Sequence, residues 1–137
     1  MALSEARFDL EYQEGDIIEL EAAGQVYENG MVNFITAATN RGQIVAADDV
    51  ANRSFAGVAL QDGEDGDMVR VVLRGIGNFK AHVNLSTTNP GTNVYVEDDE
   101  QVTSQADAGE DILVGKLIKG ATADNMARVS FKSALLA

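Results

Sequence analysis

The sequence predicts an all-β fold: a small single-domain β-barrel or compact β-sandwich with an extended N-terminal arm. Three observations carry that expectation. Apolar residues recur with period two far more often than 3.6, as in Phe8, Leu10, Tyr12, then Ile18, Leu20, Ala22, then Val69, Val71, Leu73, then Val94, Val96. Alternate residues of a strand share one face, so this is the pattern of half-buried strands. Thirteen glycines and the polar clusters ATNRG, QDGEDGD, STTNPG, EDDEQ and GATADN cut these runs at short intervals. Such spacing suits a sandwich or barrel rather than strand–helix–strand units. Finally, GVALQDGEDGDMVRVVL (Gly57 to Leu73) is echoed by GKLIKGATADNMARVSF (Gly115 to Phe131). Gly57 coincides with Gly115, Met68 with Met126, Arg70 with Arg128 and Val71 with Val129. Leu60 falls on Ile118, Asp67 on Asn125 and Leu73 on Phe131. Either both stretches obey one generic hairpin grammar, or the domain is built from two related halves. In the second case Arg70 and Arg128 take matching strand positions, with Val71 and Val129 on the opposite face.

Met1 to Glu11 precedes the first turn signal, Gly15-Asp16, yet carries alternating apolar residues. It reads as an arm over residues 1–11, ahead of a β-domain over 12–137. The arm is either an ordinary first strand of its own barrel or a segment that adds to a neighbouring subunit. After Gly15-Asp16 comes the strand pattern of Ile18, Leu20 and Ala22. Asp48 to Arg53 is the best short helix candidate, with Asp48 as cap, and a plain loop is the competing reading. Val69, Val71 and Leu73 form the next alternating run, followed by a bend or bulge at GIGNFK, Gly75 to Lys80. In FKAHVN the alternation from Phe79 turns His82 outward, and Val94 and Val96 mark a further strand.

The 137 residues make one domain, large enough to bury roughly two thirds of the surface of its unfolded chain. Cysteine is absent, which excludes a disulfide framework, a thiol nucleophile and thiolate metal sites. No export signal or apolar run long enough to span a membrane is visible, so synthesis in the cytoplasm is expected. The net charge is −12, with ten acids against Arg7 and Arg41 in Met1 to Val50. Ala51 to Ala137 holds twelve acids against eight bases. Lys and Arg do not cluster along the chain, so a nucleic-acid partner is not expected.

Catalytic patterns are lacking. His82 is the sole histidine, Ser86 and Thr87 lie in no nucleophile elbow, and a triad would have to rely on His82 as its base. The carboxylates of DGEDGD (Asp62 to Asp67) do not match the spacing of a calcium loop, because Leu73 stands where the bidentate Glu is needed. That cluster and EDDE, Glu97 to Glu100, read as solvated turns. GIGNFK lacks the third glycine and following helix of a dinucleotide loop. No enzyme activity, cofactor or metal is expected.

Three blocks together carry a resemblance: YQEGDIIELEAAGQVYENGMVNF, FAGVALQDGEDGDMVRVVLRGIGNF, and NPGTNVYVEDDEQVTSQADAGEDILVGKLIKGATADNMARVSF. Their order and spacing resemble the capsid cement, or head decoration, proteins of tailed bacteriophages from Tyr12 to Phe131. The family's positions read here as Gly15-Asp16, Gly57 to Leu60, Gly66-Asp67, Val69 to Val71, Gly75, Gly91 to Tyr95 and Val114-Gly115. Lys116 stands where an apolar residue is usual, and Ile35 to Asn52 is longer than the usual connection. The resemblance implies a virion protein on the outer capsid surface that stiffens the shell by bridging capsomers. It implies the major capsid protein as partner and a homo-oligomer, a trimer ahead of a dimer. The expected contacts are Phe8, Leu10 and Tyr12 of the arm, with Ile76 and Phe79 after the Gly75 bend. The rival readings are a small β-barrel hydrolase, an inhibitor or a carbohydrate-binding module. The absence of Trp and the wide spread of Tyr12, Tyr27 and Tyr95 weigh against the last.

Overall fold

The computed structural model describes residues 8–13, 17–83, 85–98, 100–105 and 112–136. Eleven strands follow in chain order: β1 (Phe8–Gln13), β2 (Ile17–Glu21), β3 (Met31–Ile35), β4 (Ile44–Ala46), β5 (Arg53–Ala59), β6 (Met68–Val72), β7 (Arg74–Lys80), β8 (Asn93–Glu97), β9 (Gln101–Thr103), β10 (Leu113–Lys119) and β11 (Met126–Lys132). They form two antiparallel sheets, β2-β6-β5-β3-β4 and β1-β7-β11-β10-β8-β9. No helix occurs among the described residues. In place of the short helix considered at Asp48 to Arg53, the chain runs as a loop to Asn52 and enters β5 at Arg53, and Asn52 takes a left-handed φ of 62° that a right-handed helix cannot contain.

The two sheets are copies of one plan. In each, the first strand of a five-strand unit pairs with the fifth, then come the fourth, second and third: β2 to β6 in one, β7 to β11 in the other. The repeated sequence stretches are the same hairpin in the same register. Ala59 pairs with Val71 as Leu117 pairs with Val129, and Val58 pairs with Val72 as Lys116 pairs with Ser130. Arg70 and Arg128 are both exposed, while Val71 and Val129 are both buried. The loop bonds recur as well. Val26 N–H donates to the Gly63 carbonyl at 2.9 Å, and Leu85 N–H donates to that of Ala121 at 2.7 Å. Ala23 N–H reaches the Ile44 carbonyl at 2.8 Å, and His82 N–H that of Val102 at 2.9 Å. These last bonds accompany single parallel bridges, Ala22 to Ile44 and Ala81 to Val102, by which each sheet curls back on its own edge without closing into a barrel.

β1 lies outside this duplication. It pairs antiparallel with β7 of the same chain, so the boundary expected after Glu11 falls within a strand. Residues 1–7 of the expected arm lie outside the described residues.

The halves join asymmetrically. From Phe55 to Ala59 every residue of β5 is buried, because both faces of the strand are covered. Ala56 and Ala59 pack in the first unit's own core with Val26, Val69 and Val71. Phe55, Val58, Met31 and Val72 point the other way and complete the core of the second unit. There the Phe131 ring meets Phe55 edge-on at 6.3 Å and Phe79 at 5.7 Å. Such T-shaped pairs contribute about 0.5–1.5 kcal/mol each beyond the area buried. The chain end ties the joint: Ala134 N–H donates to the Phe55 carbonyl at 2.8 Å and Ser133 N–H to that of Leu73 at 2.7 Å.

A second, acidic seam lies where the loop after β4 meets the turn after β8. Fully buried Asn33 donates through Nδ2 to the Asp48 carbonyl at 3.2 Å. Glu100 N–H donates to the Ala47 carbonyl at 3.2 Å. Glu100 itself is buried, with a φ of 60°, so EDDE is not the wholly solvated turn that its sequence suggests. Desolvation holds the Asp48 carboxyl above its ordinary range. The Asp49 amide opposes that rise, Asp98 adds to it through a hydrogen bond and like-charge repulsion, and Arg53 opposes it.

Two predictions follow from this architecture. A Cβ on Gly115 would stand 1.9 Å from the Ser130 carbonyl oxygen, and one on Gly57 2.3 Å from that of Val72, its counterpart in the repeat. Backbone cannot yield as a flexible side chain does, so Gly115→Ala costs about 1–3 kcal/mol or more in urea unfolding. Gly24→Ala, which meets only Val45 at 4.0 Å, leaves the midpoint nearly unchanged. The second concerns pH. Because the folded state raises the Asp48 pKa, its carboxyl favours folding when protonated and that advantage is lost as pH rises through the folded value. Asp48→Asn therefore melts higher than the wild type at pH 7, and the two curves converge below the ordinary aspartate value of 3.8.

Candidate functional site

His82 lies in a bend just past β7, with an exposed side chain whose Nδ1 is 3.9 Å from Glu97 Oε2. That is beyond hydrogen-bond distance and the imidazole is exposed, so the pair offers no oriented base for a nucleophile. The acidic turn has a local use for its carboxylates. Asp67 Oδ2 accepts from the Glu64 N–H at 2.8 Å, and Asp62 Oδ1 accepts from the Glu28 N–H at 2.8 Å, pinning the hairpin loop to the loop after β2. Among the described residues no group of three or more His, Asp or Glu side chains is placed to hold a metal ion.

The surfaces are more informative. Phe8 and Leu10 stand in register opposite Phe79 and Gly77. A register shift follows Leu10, so that Tyr12 stands opposite Ile76. Ile76 is half-buried on the outer face of the six-stranded sheet, between the registers of Tyr12 and Ser130. Phe79 is a correction: it is fully buried against Phe131 and belongs to the core, not to a contact surface. The two residues are three apart on one strand and so point to opposite faces, a consequence of period two that was available in the sequence.

Sequence reasoning missed two features. At the joint of the halves, a cleft of about 610 Å³ opens between the start of β5, strands β10 and β11 and the chain end. Phe55, Ile112, Leu113, Val114 and Leu136 give it an apolar lining, with Lys116 and Lys132 beside them. Leu113 and nearby Leu135 are about half exposed. The second feature is electrostatic. Strand pairing gathers Arg74 and Lys80 of β7, Arg128 and Lys132 of β11, and Lys116 and Lys119 of β10 on the outer face of the six-stranded sheet. Cations scattered along the chain thus form a cluster in space, which corrects the premise that none exists. The available signal was the alternation in RGIGNFK and MARVSFK, which puts both cations of each strand in one phase; in KLIK, Lys116 and Lys119 are three apart, and only the register shift between Leu117 and Lys119 brings them to one face.

Comparison with known proteins agrees with the fold. A family model described as phage cement protein matches residues 25–132. No curated protein matches the chain. Among solved structures, the N base of head fiber gp8.5 of bacteriophage phi29 aligns with a TM-score of 0.54 and 15% identity. The alignment covers 85% of this chain and 93% of that one, and at such identity it speaks for the fold alone. The matched region holds the second repeated unit and all of the first except β2, and the chain belongs to the phage cement protein family, whose members are structural proteins of the capsid.

Proposed function

We propose that this chain is a capsid cement that binds the outer surface of an icosahedral phage head and stabilises the shell by bridging neighbouring capsomers. The observation that carries the reading is the family match, which spans nearly all of the duplicated β-structure. The phi29 head-fiber base supports it as a protein of like fold used on a phage head. A shell under internal pressure fails at its subunit junctions. A protein that touches several subunits at once gains effective concentration for each successive contact and needs no active site. Its partner is the major capsid protein, its place the virion surface after synthesis in the bacterial cytoplasm, and its working state a homo-oligomer, with a trimer ahead of a dimer.

Within this reading the N-terminal segment makes the bridge. Among the described residues β1 is the one strand outside the repeated plan, and it lies at a sheet edge, where strands exchange between subunits most readily. Phe8, Leu10 and Tyr12, with Ile76 beside them in register, are the proposed contacts.

Added to parent-phage heads that lack it, the protein co-sediments in stoichiometric amount and labels their outer face. Protein that stays in the supernatant contradicts the reading. Deleting Met1 to Glu11 leaves both five-strand units intact, so the truncated chain stays folded and binds heads about ten-fold or more weakly. Unfolding on truncation would make β1 an ordinary structural strand.

A further inference from the structure

The duplication allows one face of the molecule to be read against the other. In the first unit, Met31, Phe55, Val58 and Val72 form an outer face that is buried against the second unit. Register fixes their counterparts. Met31 pairs with Val58 as Asn93 pairs with Lys116, and Val58 with Val72 as Lys116 with Ser130. Phe55 corresponds to Leu113 in the repeat. The same face of the second unit therefore carries Asn93, Leu113, Lys116 and Ser130, and of these Leu113, Lys116 and Ser130 are exposed. A surface that is apolar glue in one copy is polar and cationic in the other.

The neighbouring strands continue the contrast. On the five-stranded sheet Glu19 stands directly opposite Arg70, a favourable cross-strand pair. On the six-stranded sheet Arg74 stands opposite Lys132 and Lys119 opposite Arg128. Like charges directly opposed carry a local cost to the sheet. From β7 to β11 Glu97 is the one acid among the strand residues of this face, and Asp9 of β1 stands in register opposite Asn78 at its edge. The chain as a whole carries −12, so this face is a local reversal of its overall sign.

We infer that the outer face of the six-stranded sheet, centred on Lys80, Lys116, Lys119 and Arg128, is the docking face for an acidic surface on the assembled capsid shell. This rests on the cement reading and names the chemistry of its partner. A cationic sheet face fits an acidic protein surface by charge complementarity, which sets orientation and on-rate. Nucleic acid fits it less well. Tyr95 of β8 and Tyr12 of β1, in register opposite Ile76, are separated by three strands, so no contiguous stacking platform accompanies the charges, and a net −12 repels a polyanion.

The test is binding to parent-phage heads that lack this protein, followed by sedimentation over a range of salt. The wild type binds, and binding weakens as salt rises. The triple variant Lys80→Glu, Lys116→Glu, Lys119→Glu binds about ten-fold or more weakly, the corresponding triple Gln variant falls between, and Arg41→Glu, in the loop after β3, binds as wild type. Coincident melting curves establish that the variants are folded; if the Glu variant is not, the Gln variant decides. Wild-type binding that all variants match overturns the docking face and leaves the cement reading standing. A wild type that binds no heads overturns the cement reading itself. Charge-dependent self-association in the ultracentrifuge, or binding of a labelled oligonucleotide at physiological salt that the Glu variant loses, with head binding unchanged, assigns the face to another partner and overturns the inference.

Discussion

Phe131 is the contact on which the rest of the structure depends. It lies on the last strand of the second unit, edge-on to Phe79 within that unit and to Phe55 of the first. Neither curled sheet closes into a barrel, so each needs its open core covered. The first unit supplies the cover with one whole face of β5, and the chain end bonds back across the same joint. Because the two units have one plan but only one of them gives up this face, the union is head-to-tail, and it leaves the equivalent face of the second unit outward.

Divergence between the repeats then follows from where each face lies. Where Val58 must be apolar, its counterpart is Lys116; where Val72 is buried, Ser130 is exposed. Positions inside each unit stay apolar in both copies, as with Val71 and Val129, Val32 and Val94, or Ile44 and Val102. Gly57 and Gly115 are kept in both for a backbone reason, since each passes against a partner-strand carbonyl that leaves no room for a Cβ. Interior constraints were duplicated with the fold, and surface constraints were not.

The doubled hairpin was legible because period two, turn glycines and coincident residues all survive in both copies. The strand order was not. Which strands become neighbours is decided by long-range pairing, and β4 and β9 are each three residues long, too short for alternation to register. The loop at Asp48 illustrates a local pattern overridden by tertiary contact, because Asn33 and the acidic seam hold it in place of a helical turn. Placing Phe79 on the surface ignored the phase of its own strand. The cationic face escaped notice because no segment of sequence contains it; it exists only once β7, β11 and β10 lie side by side.

A reconstruction of the decorated head, at a resolution that orients the two sheets, tests the central claim most directly. The account predicts the six-stranded sheet turned toward the shell, with Lys116, Lys119 and Arg128 against capsid carboxylates. It predicts the five-stranded sheet turned away from the shell. Finding the face of β7, β11 and β10 open to solvent while another surface meets the capsid would contradict it.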